Sequence, residues 1–341
     1  MATFLEIEPT TENYWRGIIL LGRNVATYKL ALAKALLELM PSGKTFVTLE
    51  ELAGPYTRHL TDHLKKADKQ IVMNSSKFLD ACRGFNKGKQ TQEQLIDAAV
   101  AQGFNNVIDA FHIVNNALVP KKFFVDERKT KKGITLTDDL FLLGSGSQGA
   151  NFPSEVEARW RLVETAWSLQ LPPSMLAVQY GPELESLFVE TVERRINVTG
   201  CRAALNGYQR GKCFYCFKDI VISGAETEVE VDHFFPIGLT RFSEFIQMNL
   251  NGVWNLVLSC QDCNRGVGGK SMLVPNVRYL ERLHSRNQFF IESHHPLRET
   301  LMNQTGQAES ERRKYLQTTH SSATVRLLHT WEAIDEYPSA F

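Results

Sequence analysis

Four of the six cysteines in this 341-residue chain fall into two Cys-x-x-Cys pairs, Cys213/Cys216 and Cys260/Cys263. Four thiolates match tetrahedral Zn²⁺, which has no geometric preference of its own and favours sulfur. Two residues between paired cysteines let backbone N–H groups turn toward the sulfurs. Gly211-Lys212 before the first pair and Arg265-Gly266 after the second suit tight turns beside negative charge. The spacing therefore predicts a structural zinc that pins both ends of the insert Phe217 to Ser259, a segment too small to be stable on an apolar core alone. Four cysteine ligands leave no position open for water, so this zinc is expected to be structural and not catalytic. A redox dithiol would account for a single pair but not for the duplicated pattern.

Inside the insert, Val229-Glu230-Val231 alternates as a strand and ends on Asp232-His233, followed by the apolar turn Phe234 to Gly238. Asn255 precedes a short apolar run, Leu256-Val257-Leu258, that leads into Cys260, and Asn264 directly follows Cys263. Neighbouring residues on a strand face opposite sides, so Asp232 and His233 are expected to do different work. A carboxylate suits a hard cation, and an imidazole with a near-neutral pKa suits general-base chemistry. Singly, each has a plain structural explanation: a turn acid before a histidine, an asparagine at a strand edge. Beside the cysteine pairs, the set points to activation of water at a phosphodiester.

The pattern Cys213-x-x-Cys216, Asp232-His233, Asn255 and Cys260-x-x-Cys263-Asn264 resembles the HNH endonuclease family over about residues 199–275. The resemblance implies a ββα-metal fold, a β-hairpin and a helix around a divalent metal. It also implies His233 as general base, Asp232 and Asn264 as ligands of a catalytic ion, and Asn255 as the brace of the active-site loop. An asparagine at the third position offers a hard carbonyl oxygen, so Mg²⁺ or Mn²⁺ is expected there in preference to Zn²⁺. Family members often carry a lysine nearer the last cysteine than Lys270, which here lies beyond Gly266-Val267-Gly268-Gly269. The activity implied is cleavage of DNA, by nicking if the chain acts as a monomer. A catalytically silent zinc-stabilised nucleic-acid-binding module and an RNase are the alternatives. A large helical region ahead of an HNH unit is also similar in arrangement to nuclease effectors of bacterial anti-phage defence, among them the HNH component of Zorya-type systems. Partners from a defence complex would then join DNA.

Lys+Arg and Asp+Glu are equal at 38 each, so any nucleic-acid surface must be local. Arg194 to Arg286 carries twelve basic against eight acidic side chains, an excess of four. Arg241, Arg265 and Lys270 are the expected phosphate contacts. The basic stretch at Lys121-Lys122 and Arg128 to Lys132 reads either as a second DNA contact or as an ordinary solvated turn. His294-His295-Pro296 lacks ligand spacing and is expected to cap or pack. Unpaired Cys82 and Cys201 read as buried thiols of a reducing compartment. The start lacks the basic head and long apolar stretch of a secretory leader, and the densest apolar run near it, Gly17 to Gly22, is too short to cross a bilayer, so the chain is expected to be cytoplasmic, off the membrane. Nothing in the sequence sets an oligomeric state.

The expected fold is mostly α with a small α+β unit. Residues 1–195 read as a helical regulatory or recognition domain containing one β-hairpin, 196–285 as the zinc-bearing HNH unit, and 286–341 as a helical extension. Helical spacing runs from Tyr14 to Met40. Capping boxes at Thr48 and Thr91 open two further helices, the first expected to break or bend at Pro55. Phe123 to Val125 and Ile134 to Leu136 flank a basic turn as a hairpin. Ser154 caps a helix that is stopped by Pro172-Pro173, and another helix is expected from Pro182 to Arg195.

Overall fold

The computed structural model describes residues 9–21, 26–71, 76–114, 116–146, 148–168, 178–181, 186–190, 195–222, 229–292 and 297–341. They form a mostly helical chain with small sheets, divided into two compact units, Met1–Trp160 and Arg161–Phe341. The expected boundary near residue 195 lies inside the second unit.

The first unit contains α1 (Thr11–Leu21), α2 (Tyr28–Leu39), α3 (Leu49–Leu64), α4 (Lys77–Asn86), α5 (Gln92–Ala98), α6 (Val107–Ala110), α7 (Arg128–Lys131), α8 (Asp138–Ser145) and the first half of α9 (Phe152–Ser168). Its strands are β1 (Phe46–Thr48), β2 (Ile113–Val114), β3 (Ala117–Leu118), β4 (Phe124–Asp126) and β5 (Gly133–Leu136). The long helical pattern from Tyr14 is two helices, because the Thr27 N–H bonds Gln70 O (3.0 Å) and leaves the helical ladder. Both capping boxes form. Helix α3 runs unbroken through Pro55 and buries Leu52, Tyr56 and Leu60, so packing against α2 outweighs the lost hydrogen bond. The expected hairpin is β4–β5, and β1 joins it as a third strand across β5. Arg16 and Glu155 form a bidentate ion pair in the core, both contacts 2.8 Å.

The second unit continues with β6 (Val178–Gly181), β7 (Ser186–Glu190), β8 (Arg195–Gly200), α10 (Cys201–Gln209), β9 (Val229–His233), β10 (Leu256–Cys260), α11 (Gln261–Arg265), β11 (Val274–Pro275), α12 (Val277–Glu292), α13 (Arg298–Thr305), α14 (Glu309–Leu327) and β12 (Thr330–Trp331). The helix expected over Pro182 to Arg195 is corrected: Ser186–Glu190 is the central strand of the antiparallel sheet β6-β7-β8. A short apolar run such as Leu187-Phe188-Val189 has no periodicity to separate strand from buried helix, and its neighbours decide. The stop at Pro172-Pro173 and the His294-His295-Pro296 segment lie outside the described residues. Among those residues no helix is long and apolar enough to cross a membrane.

Candidate metal cluster and catalytic centre

Helix α10 is followed by Arg210 and Gly211, both left-handed (φ 53° and 73°), and Phe217 beyond the first cysteine pair is left-handed too (φ 62°). These reversals curl the backbone around the first pair. Gln209 clips the curl to β10: its amide donates to Lys212 O (2.9 Å) and Leu258 O (2.7 Å) and accepts from Leu258 N (2.8 Å). The second pair sits where β10 passes into α11, with Cys260 at the helix cap. All four sulfurs are buried and lie within 4.8 Å of one another. Zn–S bonds of about 2.3 Å at tetrahedral angles separate sulfurs by about 3.8 Å, and the Cys216 and Cys260 sulfurs stand 3.7 Å apart. Sulfur–sulfur hydrogen bonding within the cluster lowers Cys216 and Cys260 and raises Cys263, while burial raises Cys213. The cluster fits a tetrahedral metal such as zinc.

Strands β9 and β10 pair antiparallel, with His233 opposite Leu256 and Glu230 opposite Ser259. The alternation puts Glu230 and Asp232 on one face of β9, against the segment that begins at α11. Asn264 Nδ2 donates to Glu230 Oε2 (2.8 Å), and Arg265 reaches the other Glu230 oxygen (2.5 Å). Asp232 is buried. Tyr215, set between the cysteines of the first pair, donates its hydroxyl to Asp232 Oδ2 (2.7 Å), and Lys270 Nζ lies 3.2 Å from Oδ1. Burial pushes the Asp232 carboxyl up, against the opposing pull of Lys270 and Tyr215. Burial and the Asp232 charge raise the Tyr215 phenol well above its ordinary value, so it remains a donor.

On the other side of the strand end, His233 Nε2 meets Asn251 Oδ1 at 2.9 Å. Burial lowers the imidazole pKa, partly offset by Asn251 and Asp232. Such a ring is neutral at pH 7 and able to accept a proton. Asn255, fully buried, stitches the intervening loop. Its amide nitrogen donates to Phe235 O (3.0 Å) and Leu250 O (2.9 Å), its oxygen accepts from Phe235 N (2.8 Å), and its backbone oxygen accepts from Phe234 N (2.7 Å). From α12, the buried Arg286 guanidinium reaches Val253 O (3.0 Å), Trp254 O (3.2 Å) and Leu256 O (2.6 Å). The segment beyond 285 therefore builds the wall behind Asn255.

The expected residues thus gather in one unit, with departures. Asn264, expected beside Asp232, directs its amide to Glu230. Lys270, expected as a phosphate contact, is 1% exposed and buried against Asp232. Arg241 is exposed and lies over the Phe242 ring (5.0 Å), and Arg265 is exposed but paired with Glu230. In the first unit, Arg128 is held by Asp109 and Asp126, Lys131 by Glu127 and Lys121 by Asp139, the pattern of a solvated turn. As an oxygen-ligand seat for a divalent ion, Asp232 and Asn264 do not fit as they stand: both Asp232 oxygens are engaged, one by an ammonium. Sequence reasoning missed Tyr215, Glu230, Asn251, Gln209 and Arg286. For two of these a signal existed, Tyr215 lying between the cysteines and Glu230 two residues before Asp232 on the same strand face.

Comparison of the chain with known protein families, with curated proteins and with solved structures found no match.

Proposed function

We propose that the second unit is a phosphodiester hydrolase of the HNH type acting on DNA, with structural zinc in the four-cysteine cluster. The observation that carries this reading is the convergence, on one hairpin-and-helix scaffold, of that cluster with His233 at the end of β9 and Asn255 bracing the loop beside it. In this reading the neutral His233 ring takes a proton from water. The water oxygen bonds phosphorus, the bond from phosphorus to the leaving sugar oxygen breaks, and that oxygen leaves with a proton. Asn251 holds the ring, and Asn255 and Arg286 hold the loop. A lone centre of this kind cuts one strand per encounter, so the expected product on duplex DNA is a nick. Arg241 is the best placed of the expected phosphate contacts, being exposed and close to Phe242. A role in anti-phage defence, with partners from such a system, is supported by the resemblance in chain arrangement, and a cytoplasmic place by the reduced-thiol cysteine usage.

The test is conversion of supercoiled plasmid to the open-circular form with Mg²⁺ or Mn²⁺ present, with an RNA substrate run in parallel. His233→Ala is expected to lower cleavage by about 10²-fold or more, the ordinary contribution of a positioned general base. Equal cleavage by this variant rules out the assigned base. A second reading, a zinc-stabilised module that binds nucleic acid without cutting, is favoured by the closed state of Asp232. It predicts salt-sensitive DNA binding with no metal-stimulated cleavage of either nucleic acid.

A further inference from the structure

Lys270 is placed with unusual completeness for a lysine. Its ammonium has three protons to donate. Three oxygens stand around it: Asp232 Oδ1 at 3.2 Å, His233 O at 3.0 Å and Ser271 O at 3.3 Å. The backbone that delivers it is equally fixed. Gly269 N bonds Gly266 O (2.8 Å), Lys270 N bonds Cys263 O (2.7 Å) and Ser271 N bonds Asn264 O (2.7 Å), while Gly268 takes a left-handed turn (φ 77°). The loop after the second cysteine pair is thereby folded back so that position 270 falls beneath Asp232. Tyr215 closes the other carboxylate oxygen from the first cysteine pair, and Asn264 is turned to Glu230. Asp232 is thus enclosed from both ends of the cysteine cluster.

From this geometry we propose that Lys270 is a tethered cation that occupies the seat beside Asp232 and keeps a divalent ion off that carboxylate. The inference rests on the reading of Asp232 given under the proposed function. A divalent ion coordinated to Oδ1 would lie within a few ångströms of a buried ammonium, and like charges at that range in a poorly solvated site repel strongly. A lysine side chain is long and flexible, but here its head is buried and three oxygens already stand around its three protons. The 266–269 spacer, which sets this lysine farther along the chain than a direct continuation of α11 would, is what lets it reach back under the strand.

The measurement is Mn²⁺ binding to the zinc-loaded full chain, followed by loss of the free-ion electron paramagnetic resonance signal. Lys270→Met, which keeps the side-chain length without the charge, is expected to bind one Mn²⁺ at least about tenfold more tightly than wild type. Adding Asp232→Asn to that variant is expected to remove the gain. Lys270→Gln retains a donor toward His233 O and serves the same comparison if Lys270→Met fails to keep its zinc. Tyr215→Phe frees Oδ2 but leaves the ammonium in place, so its Mn²⁺ affinity is expected to stay below that of Lys270→Met, and an equal gain overturns the proposal. Equal affinity in wild type and both Lys270 variants overturns the proposal, as does a gain that survives Asp232→Asn. Cleavage is read separately. Tighter Mn²⁺ binding in variants that never cut DNA removes the nuclease reading and leaves the role of Lys270 standing. DNA cleavage with no gain in Mn²⁺ affinity does the reverse.

Discussion

Asn255 carries three side-chain hydrogen bonds in a site with no access to water, so its amide does work that no apolar residue of similar size can do. Truncation leaves Phe235 N, Phe235 O and Leu250 O without their partner, and each orphaned buried group costs about 1–3 kcal/mol before relaxation. Asn255→Ala is therefore expected to lower the stability of the second unit by several kcal/mol in a urea melt. A loss below about 0.5 kcal/mol, the usual range for an inconsequential surface change, would mean the loop is held by something else. Asp232 shows the other side of residue-scale reasoning. Its identity was plain from Asp232-His233, and its placement on the strand face opposite His233 follows from period-2 alternation. Its partners, Tyr215 and Lys270, come from a cysteine knuckle and a glycine loop distant in sequence, and no local pattern pairs them with it.

Elements were legible where their signals are local. Capping at Thr48 and Thr91, the alternation of β9 and the apolar run of β10 are all settled within a few residues. The strand at Ser186–Glu190 was not, because the three apolar residues Leu187-Phe188-Val189 fit either a strand or a buried helix until neighbouring strands are supplied. The three-stranded sheet β1-β5-β4 is a similar case, since β1 is too short to announce itself. Between β2–β3 and β4, His112 offers a test of packing at this scale. It is buried, it accepts a hydrogen bond from Phe123 N (3.0 Å), and burial lowers its pKa to about 4. An unfolded histidine titrates near about 6.5, so on acidification the unfolded chain takes up this proton first. The stabilisation is fully present above about 6.5 and is lost as pH falls through the folded value. Replacing it with glutamine, which keeps an acceptor and does not titrate, is expected to flatten the fall in melting temperature of the first unit between those two pH values. An unchanged slope would place the acid sensitivity in other groups.

At the scale of the molecule, both units bury an apolar core, the second around Trp254, Tyr279 and Phe290, and the second adds the cysteine cluster. The first has a continuous apolar core in which Trp15, Leu36, Tyr56, Phe78 and Trp160 are buried, and the cysteine cluster is not part of it. The segment around β9 and β10 is instead tied to the cysteine pairs. Removing zinc with a strong chelator, or changing Cys213→Ser or Cys260→Ser, is expected to unfold the second unit while the first keeps its helical circular-dichroism signal and its protease resistance. Loss of both together would show that they fold as one cooperative body. The sequence alone determined the cysteine pairs, the strand that ends on Asp232-His233 and the capped helices. Cysteine spacing, strand alternation and capping act over a few residues, where backbone stereochemistry leaves few choices. Only the tertiary structure decided which cation meets which anion. The pairing of Lys270 with Asp232, and the reach of Arg286 behind Asn255, depend on how separate elements pack, and that is set by the burial of many side chains at once.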